Sequence, residues 1–227
     1  MKELSNKSKK YSATSNSVLF LLVIFTIFII PLFPIGTHQI LYNLCFTFIF
    51  LLSALALNKY RSIMFGTAVF VIAIEWFSEL LNFLILIKLS LLVNILFFDL
   101  IVVLFILQIA KAKTVTPQVI FESINGYLML GISFSILISL VCVFDPNAFN
   151  FNRLAEQTNP AFSNMSNYIY FGIITLTTIG YGDVVPITPT AKSLSNFIGI
   201  TGQMYVAIII AALVSKYLGQ KSRVNQD

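Results

Sequence analysis

Charge is what this sequence has least of. Asp, Glu, Lys and Arg make up 10% of its 227 residues and hydrophobic residues 58%, whereas a soluble domain carries about 25% charged residues. A surface facing water on every side cannot be built from that composition, so a bilayer is the expected solvent. Cysteine is nearly absent as well. Cys45 and Cys142 both fall inside apolar runs, which excludes a disulfide framework, a CxxC pair and a zinc-type spacing. The single histidine, His38, is either a pH sensor at the outer surface or, more simply, a solvated loop residue. No Ser/His/Asp set, phosphate-cradling loop or paired catalytic carboxylates appear, and the chain does not read as an enzyme. The formal charge of +5 points to membrane topology before it points to nucleic acid, because Lys and Arg set the orientation of a membrane protein.

What is present is a series of long apolar runs divided by small polar islands. A Lys-rich segment, 1–17, precedes a run from Val18 to Ile35 that is broken near its end by Pro31 and Pro34. No small-x-small cleavage site follows the run, so it reads as an uncleaved first span. A second run covers Ile40 to Leu57. From Ile63 to Ala110 the chain is apolar but too long for one crossing, since a helix rising about 1.5 Å per residue spans the bilayer in about 20 residues. It must fold back once, and the expected turn lies in Asn82 to Ser90, around Lys88. Thr116-Pro117 reads as an N-cap followed by proline at the first helical position. It opens a short interfacial helix to Ile124, with Asn125-Gly126 leading into a fifth span from Tyr127 to Phe144. After the polar stretch Asp145 to Ser163, the segment Asn164 to Thr177 is too short and polar to span and reads as a re-entrant helix. Thr188-Pro189 repeats the cap signal before a sixth span, about Ala191 to Leu218.

The expected fold is therefore an all-α membrane protein of six transmembrane helices plus a re-entrant helix and its loop. Its segments are a basic tail, 1–17, a four-helix unit, 18–113, an interfacial linker, 114–126, a two-helix unit around the re-entrant segment, 127–218, and a second tail, 219–227. With both termini cytoplasmic, eleven of the fourteen basic residues fall inside; Lys88, Arg153 and Lys192 stay outside. This obeys the positive-inside rule and accounts for the basic balance without a nucleic-acid partner.

The segment Thr175-Leu176-Thr177-Thr178-Ile179-Gly180-Tyr181-Gly182-Asp183 carries the chemistry. Two glycines flanking a tyrosine allow backbone angles closed to other residues, so successive carbonyls can face one way and replace the water shell of a bare cation. Thr178 adds a hydroxyl, Tyr181 is expected to pack outward and brace the loop, and Asp183 supplies a charge attractive to cations.

Thr177 to Asp183, TTIGYGD, resembles the signature of potassium channels, whose T-V-G-Y-G filter supplies carbonyl sites; Ile179 stands where valine is commoner. The resemblance implies a K+ filter of Thr178, Ile179, Gly180, Tyr181 and Gly182, an outer-mouth charge at Asp183, K+ as permeant ion and no cofactor. It implies a pore domain over 127–218, preceded by four spans in the voltage-sensor position, as in a six-helix bacterial channel subunit of the cell membrane. One filter per chain makes one quarter of a pore, hence a homotetramer in membrane lipid. Several features depart from the family. Voltage-gated relatives carry an arginine ladder in the fourth span, but Leu89 to Ala110 holds no Lys or Arg, so steep voltage gating is not expected. The aromatic pair of the pore helix is Tyr170-Phe171, without tryptophan, and Ile174 stands where some relatives place an acid that tethers the outer aspartate. Gly199 and Gly202 on the inner helix are candidate gating hinges or close-packing sites. The tail after Leu218 leaves no room for an attached cytosolic ligand-binding domain. Two competing readings are a potassium-uptake transporter subunit and a non-conducting regulatory or sensor subunit.

Three acids form a second constellation. Glu75 and Glu79, one turn apart on one face, lie in the third span and Asp99 in the fourth. Acids at that depth are expensive, and no basic residue lies level with them. Either they form a pH-responsive or cation-binding site, or they are satisfied by nearby hydrogen-bonding groups such as Asn82, Asn94, Ser or Tyr.

Overall fold

A computed structural model describes residues 14–57, 61–81, 84–112, 114–151 and 165–224. The Lys-rich tail, Lys59, Asn82, Lys113, Arg153 and the side chains of Arg61, Glu79, Lys221 and Arg223 lie outside the described residues. The elements are α1 (Thr14–Leu32), α2 (His38–Ala56), α3 (Arg61–Leu81), α4 (Leu84–Lys111), α5 (Pro117–Phe144), α6 (Met165–Leu176) and α7 (Pro189–Val224), with no strand among the described residues. Among the described residues, five helices are long and apolar enough to cross a membrane: α1, Ile35–Ala56, Lys88–Lys111, α5 and Pro189–Gly219. The expected third span is apolar only over the shorter stretch Ser62–Ser78.

Proline shapes the end of α1. Pro31 lacks an N–H and its ring crowds the carbonyl four residues back. The helix answers by widening to a π turn over Phe25–Ile29 and then tightening to a 3-10 turn over Ile30–Leu32. The described part of α3 ends at Leu81 and α4 begins at Leu84, so Lys88 is helical. It lies inside α4, with its ammonium 4.3 Å from the centre of the Phe144 ring at the end of α5, within cation–π range.

An aromatic seam joins α2 to α4. Tyr42, Phe46 and Phe50 recur every four residues on α2 and are buried. Phe50 meets Phe97 edge-on at 4.8 Å and Phe98 at 5.0 Å, both from α4. The buried face of α4 continues through Ile101, Phe105 and Ile109, a helical spacing of three to four residues, and packs on α5.

One difference from the sequence reading lies in α5. Thr116 caps it as expected, accepting from the Val119 N–H at 3.4 Å, but the helix runs unbroken through Asn125-Gly126 instead of ending there. Gly126 is small because Tyr205 of α7 sits against it: an added Cβ would lie 2.5 Å from the tyrosine oxygen, and that hydroxyl donates to the Ser123 carbonyl at 2.8 Å. Asn125 is fully buried and donates to the Asn16 carbonyl of α1 at 2.9 Å. Asn16 in turn donates to Glu122 at 3.2 Å, as does Gln118 at 3.1 Å.

Glu122 is thus a buried acceptor for amides of two helices. Glu122→Ala is expected to destabilise the protein by about 1–3 kcal/mol, because it deprives buried Asn16 of its acceptor. Glu122→Gln keeps an acceptor oxygen and is expected to lose less, and thermal melts of both variants in lipid check the order.

Candidate functional site

The site begins at the end of α6, a helix of 12 residues. Past Leu176 the backbone N–H groups fold back onto the helix: Thr177 donates to Ile173, Thr178 to Thr175, and both Ile179 and Gly180 to the Ile174 carbonyl, at 2.9–3.2 Å. Among the described residues no backbone N–H is bonded to the carbonyls of Thr178 to Gly182. The N–H groups of Thr177 to Gly180 are thus consumed by the end of α6, while these carbonyls take no backbone donor.

The dihedral angles explain how. Thr178, Gly180 and Gly182 have φ of 59°, 53° and 80°, and no other described residue has positive φ. A chain whose residues alternate between left- and right-handed φ turns its successive peptide units the same way, so that N–H groups gather on one side and carbonyls on the other. Glycine does this without steric cost. Thr178 is β-branched, and a left-handed φ is strained for it. The glycines of the motif mark two of these positions; nothing in the sequence marks Thr178.

The loop's far end is anchored from both sides. Tyr170 of α6 donates its hydroxyl to the Asp183 carboxylate at 2.6 Å. That bond holds the Asp183 carboxyl below the usual carboxylate range, so the tether is intact at neutral pH and is lost as pH falls through the lowered value. Ile174, the position of the missing acid, is buried in α6, and Tyr170 does the tethering. Asn150 accepts from the Val185 N–H at 2.6 Å and donates to the Asp183 carbonyl at 3.4 Å. An antiparallel bridge between Phe149 and Pro186 joins the same two segments. Beneath it, Phe149, Phe151, Tyr168 and Phe171 pack ring against ring, with centres 5.0–6.1 Å apart. Sequence reasoning passed over Phe149, Asn150 and Phe151, because they sit in the stretch Asp145 to Ser163 that reads only as polar.

The near end is buttressed by α7. Gly202 packs so closely that a Cβ there would lie 2.0 Å from the Leu176 carbonyl oxygen, the same oxygen that accepts the Tyr127 hydroxyl at 3.2 Å. Gly199 is looser, 3.8 Å from the Thr175 oxygen. Next to Gly202, Gln203 donates to the Thr178 hydroxyl at 3.1 Å. Further along α7, Lys216 donates to the carbonyls of Ile109 and Ala110, the latter at 2.9 Å, capping the C-terminal end of α4 where a cation is favoured.

The faces turned away from these supports are open. Ile179 is 54% exposed and Tyr181 71%. Thr178, Gly180, Gly182 and Asp183 are exposed too.

Glu75 is buried in α3, whereas Asp99 lies on an exposed face of α4 and accepts the Ser133 hydroxyl of α5 at 2.6 Å. The side chain of Glu79 lies outside the described residues. Among the described residues no three His, Cys, Asp or Glu side chains stand together to hold a metal ion.

A short helix, a loop whose carbonyls accept no backbone donor and a long following helix, in an all-helical chain with membrane-length spans, form the arrangement that carbonyl-lined ion filters use. Residues 131–218 match the family described as Ion channel. Similar proteins are potassium channels by name. The chain is 30% identical over 95 residues to Potassium channel K1 of Plasmodium berghei, covering 42% of this chain and 5% of the relative. It is 36% identical over 93 residues to Two pore potassium channel c of Oryza sativa subsp. japonica, covering 41% and 18%. It is 29% identical over 62 residues to Potassium voltage-gated channel subfamily A member 10 of Mus musculus, covering 27% and 12%. The chain therefore spans under one fifth of the length of these relatives. No solved structure matches significantly.

Proposed function

We propose that this chain is a subunit of a potassium-selective channel in which four identical copies surround one axis and ions cross passively. The observation that carries the reading is the row of carbonyls from Thr178 to Gly182, free of internal donors and set by left-handed φ at every second residue. Carbonyl rows of this kind replace the hydration shell of K+. The exposed faces of Ile179 and Tyr181 are the surfaces that neighbouring copies would cover, and the names of the similar proteins point to the same ion.

In this reading Asp183, held by Tyr170, is the outer-mouth charge. Both termini lie in the cytoplasm and the protein resides in the cell membrane, in keeping with the distribution of basic residues. Between Leu89 and Ala110 there is no Lys or Arg, so opening does not depend steeply on voltage. Gly202 serves packing, by its approach to Leu176.

Reconstituted in liposomes, the protein is expected to pass K+ at least tenfold faster than Na+, on the order of 1.4 kcal/mol or more of discrimination. Equal rates for the two ions overturn the selectivity. A correctly assembled tetramer that passes neither ion favours the non-conducting sensor reading.

A further inference from the structure

The inner end of the carbonyl row has a support that the backbone does not provide. Thr178 is the one non-glycine described residue with a left-handed φ, 59°, and such a conformation persists only where the surroundings hold it. Its backbone N–H is tied to Thr175 at 3.1 Å. Its side chain is tied to Gln203, whose Nε2 donates to Oγ1 at 3.1 Å. Gln203 is not free to drift, because its neighbour Gly202 seats α7 directly on the last carbonyl of α6. A hydroxyl has one proton and two lone pairs and rotates to suit its surroundings. Once an amide N–H occupies one lone pair, free rotation ends, and a cation on the far side selects the setting in which the remaining lone pair faces it.

We propose that Gln203 is a positioning residue for the innermost cation position: its amide locks the Thr178 hydroxyl so that an oxygen lone pair faces the ion path, giving that position a fixed fourth-part ligand from each copy. The ligand class is a dehydrated monovalent cation of potassium's size. This rests on the potassium-channel reading above and deepens it. Both partners are exposed in the single chain, on the surface that the reading turns toward the axis. A leucine at 203 would keep the bulk of the side chain and remove the donor.

The test uses equilibrium cation binding, so it does not depend on whether the pore opens. Full-length protein in lipid nanodiscs is melted across a KCl series, with NaCl making up constant ionic strength. A cation that binds the folded state raises the melting temperature by mass action. The parent is expected to be stabilised by K+ over Na+; absence of that preference defeats the potassium reading and this proposal with it. Gln203→Leu, which changes all four copies of the ligand at once, is expected to need at least about tenfold more K+ for half of the shift, while melting as the parent does in NaCl alone. Gln203→Asn, which withdraws the amide by one methylene, is expected to behave like Gln203→Leu and serves if leucine impairs assembly. Thr178→Val removes the hydroxyl, and adding Gln203→Leu to it is expected to change nothing more, since a residue acting only through Thr178 is silent without it. An unchanged K+ midpoint in both Gln203 variants overturns the proposal. So does a tenfold loss that recurs in the Thr178→Val background, which would make Gln203 an ordinary lining residue.

Discussion

Gly202→Ala is expected to lower the melting temperature by about 6–12 °C, from about 3 kcal/mol of overpacking in a chain of this size. The added Cβ would lie 2.0 Å from the Leu176 oxygen and 2.9 Å from its carbon. Those are backbone atoms, and the oxygen is already engaged by the Tyr127 hydroxyl, so α6 cannot yield without dragging its loop. The informative companion is Gly199→Ala, whose Cβ would meet only the Thr175 oxygen at 3.8 Å, an ordinary contact. It is expected to melt within about 2 °C of the parent, because alanine costs a helix interior nothing relative to glycine. Differential scanning fluorimetry in nanodiscs separates the two. Comparable losses at both positions would mean that helix flexibility, not close approach, is what the glycines supply, and the hinge role would return.

How far these contacts were legible in the sequence depends on how local their causes are. The apolar runs, the Thr116-Pro117 cap and the alternating glycines at 180 and 182 are properties of a few consecutive residues, and the structure has the helices, the cap and the positive φ angles there. Asn125-Gly126 looks like a helix end by the same local rules, yet the reason for that glycine is a tyrosine on another helix, at position 205. Pro31 signals a break, but how the helix absorbs it, through a π turn, depends on what packs around α1. The acids illustrate the same limit. Depth in the bilayer could be read from position along a run, whereas which face Asp99 occupies and that Ser133 meets it are matters of rotation between α4 and α5. At the site itself, the TTIGYGD string announced the loop, but its anchors at Tyr170, Asn150 and Gln203 come from three separate segments.

Gly180→Ala is expected to abolish K+ over Na+ selectivity while leaving the melting temperature of the protein in NaCl close to that of the parent. The argument is conformational and not steric, since an added Cβ at Gly180 meets nothing within 4 Å. Its φ of 53° is where an L-residue with a side chain loses about 1–2 kcal/mol. In a homotetramer the cost is incurred four times at one level of the axis, on the order of 4–8 kcal/mol against the aligned state. The chain escapes by letting φ return to negative values, which swings the carbonyls away from the ion path. No hydrophobic contact is lost in that escape, which is why stability in NaCl is spared while coordination is not. Ile179→Val is the control: Ile179 has no positive φ, is 54% exposed in the chain, and contributes only its carbonyl, so its discrimination is expected to stay within about twofold of the parent. Liposome flux of K+ and Na+ measured side by side for the parent, Gly180→Ala and Ile179→Val decides the matter. Parent-like selectivity in Gly180→Ala would mean that the carbonyl row does not select the ion, and the channel's discrimination would have to be sought elsewhere in the chain.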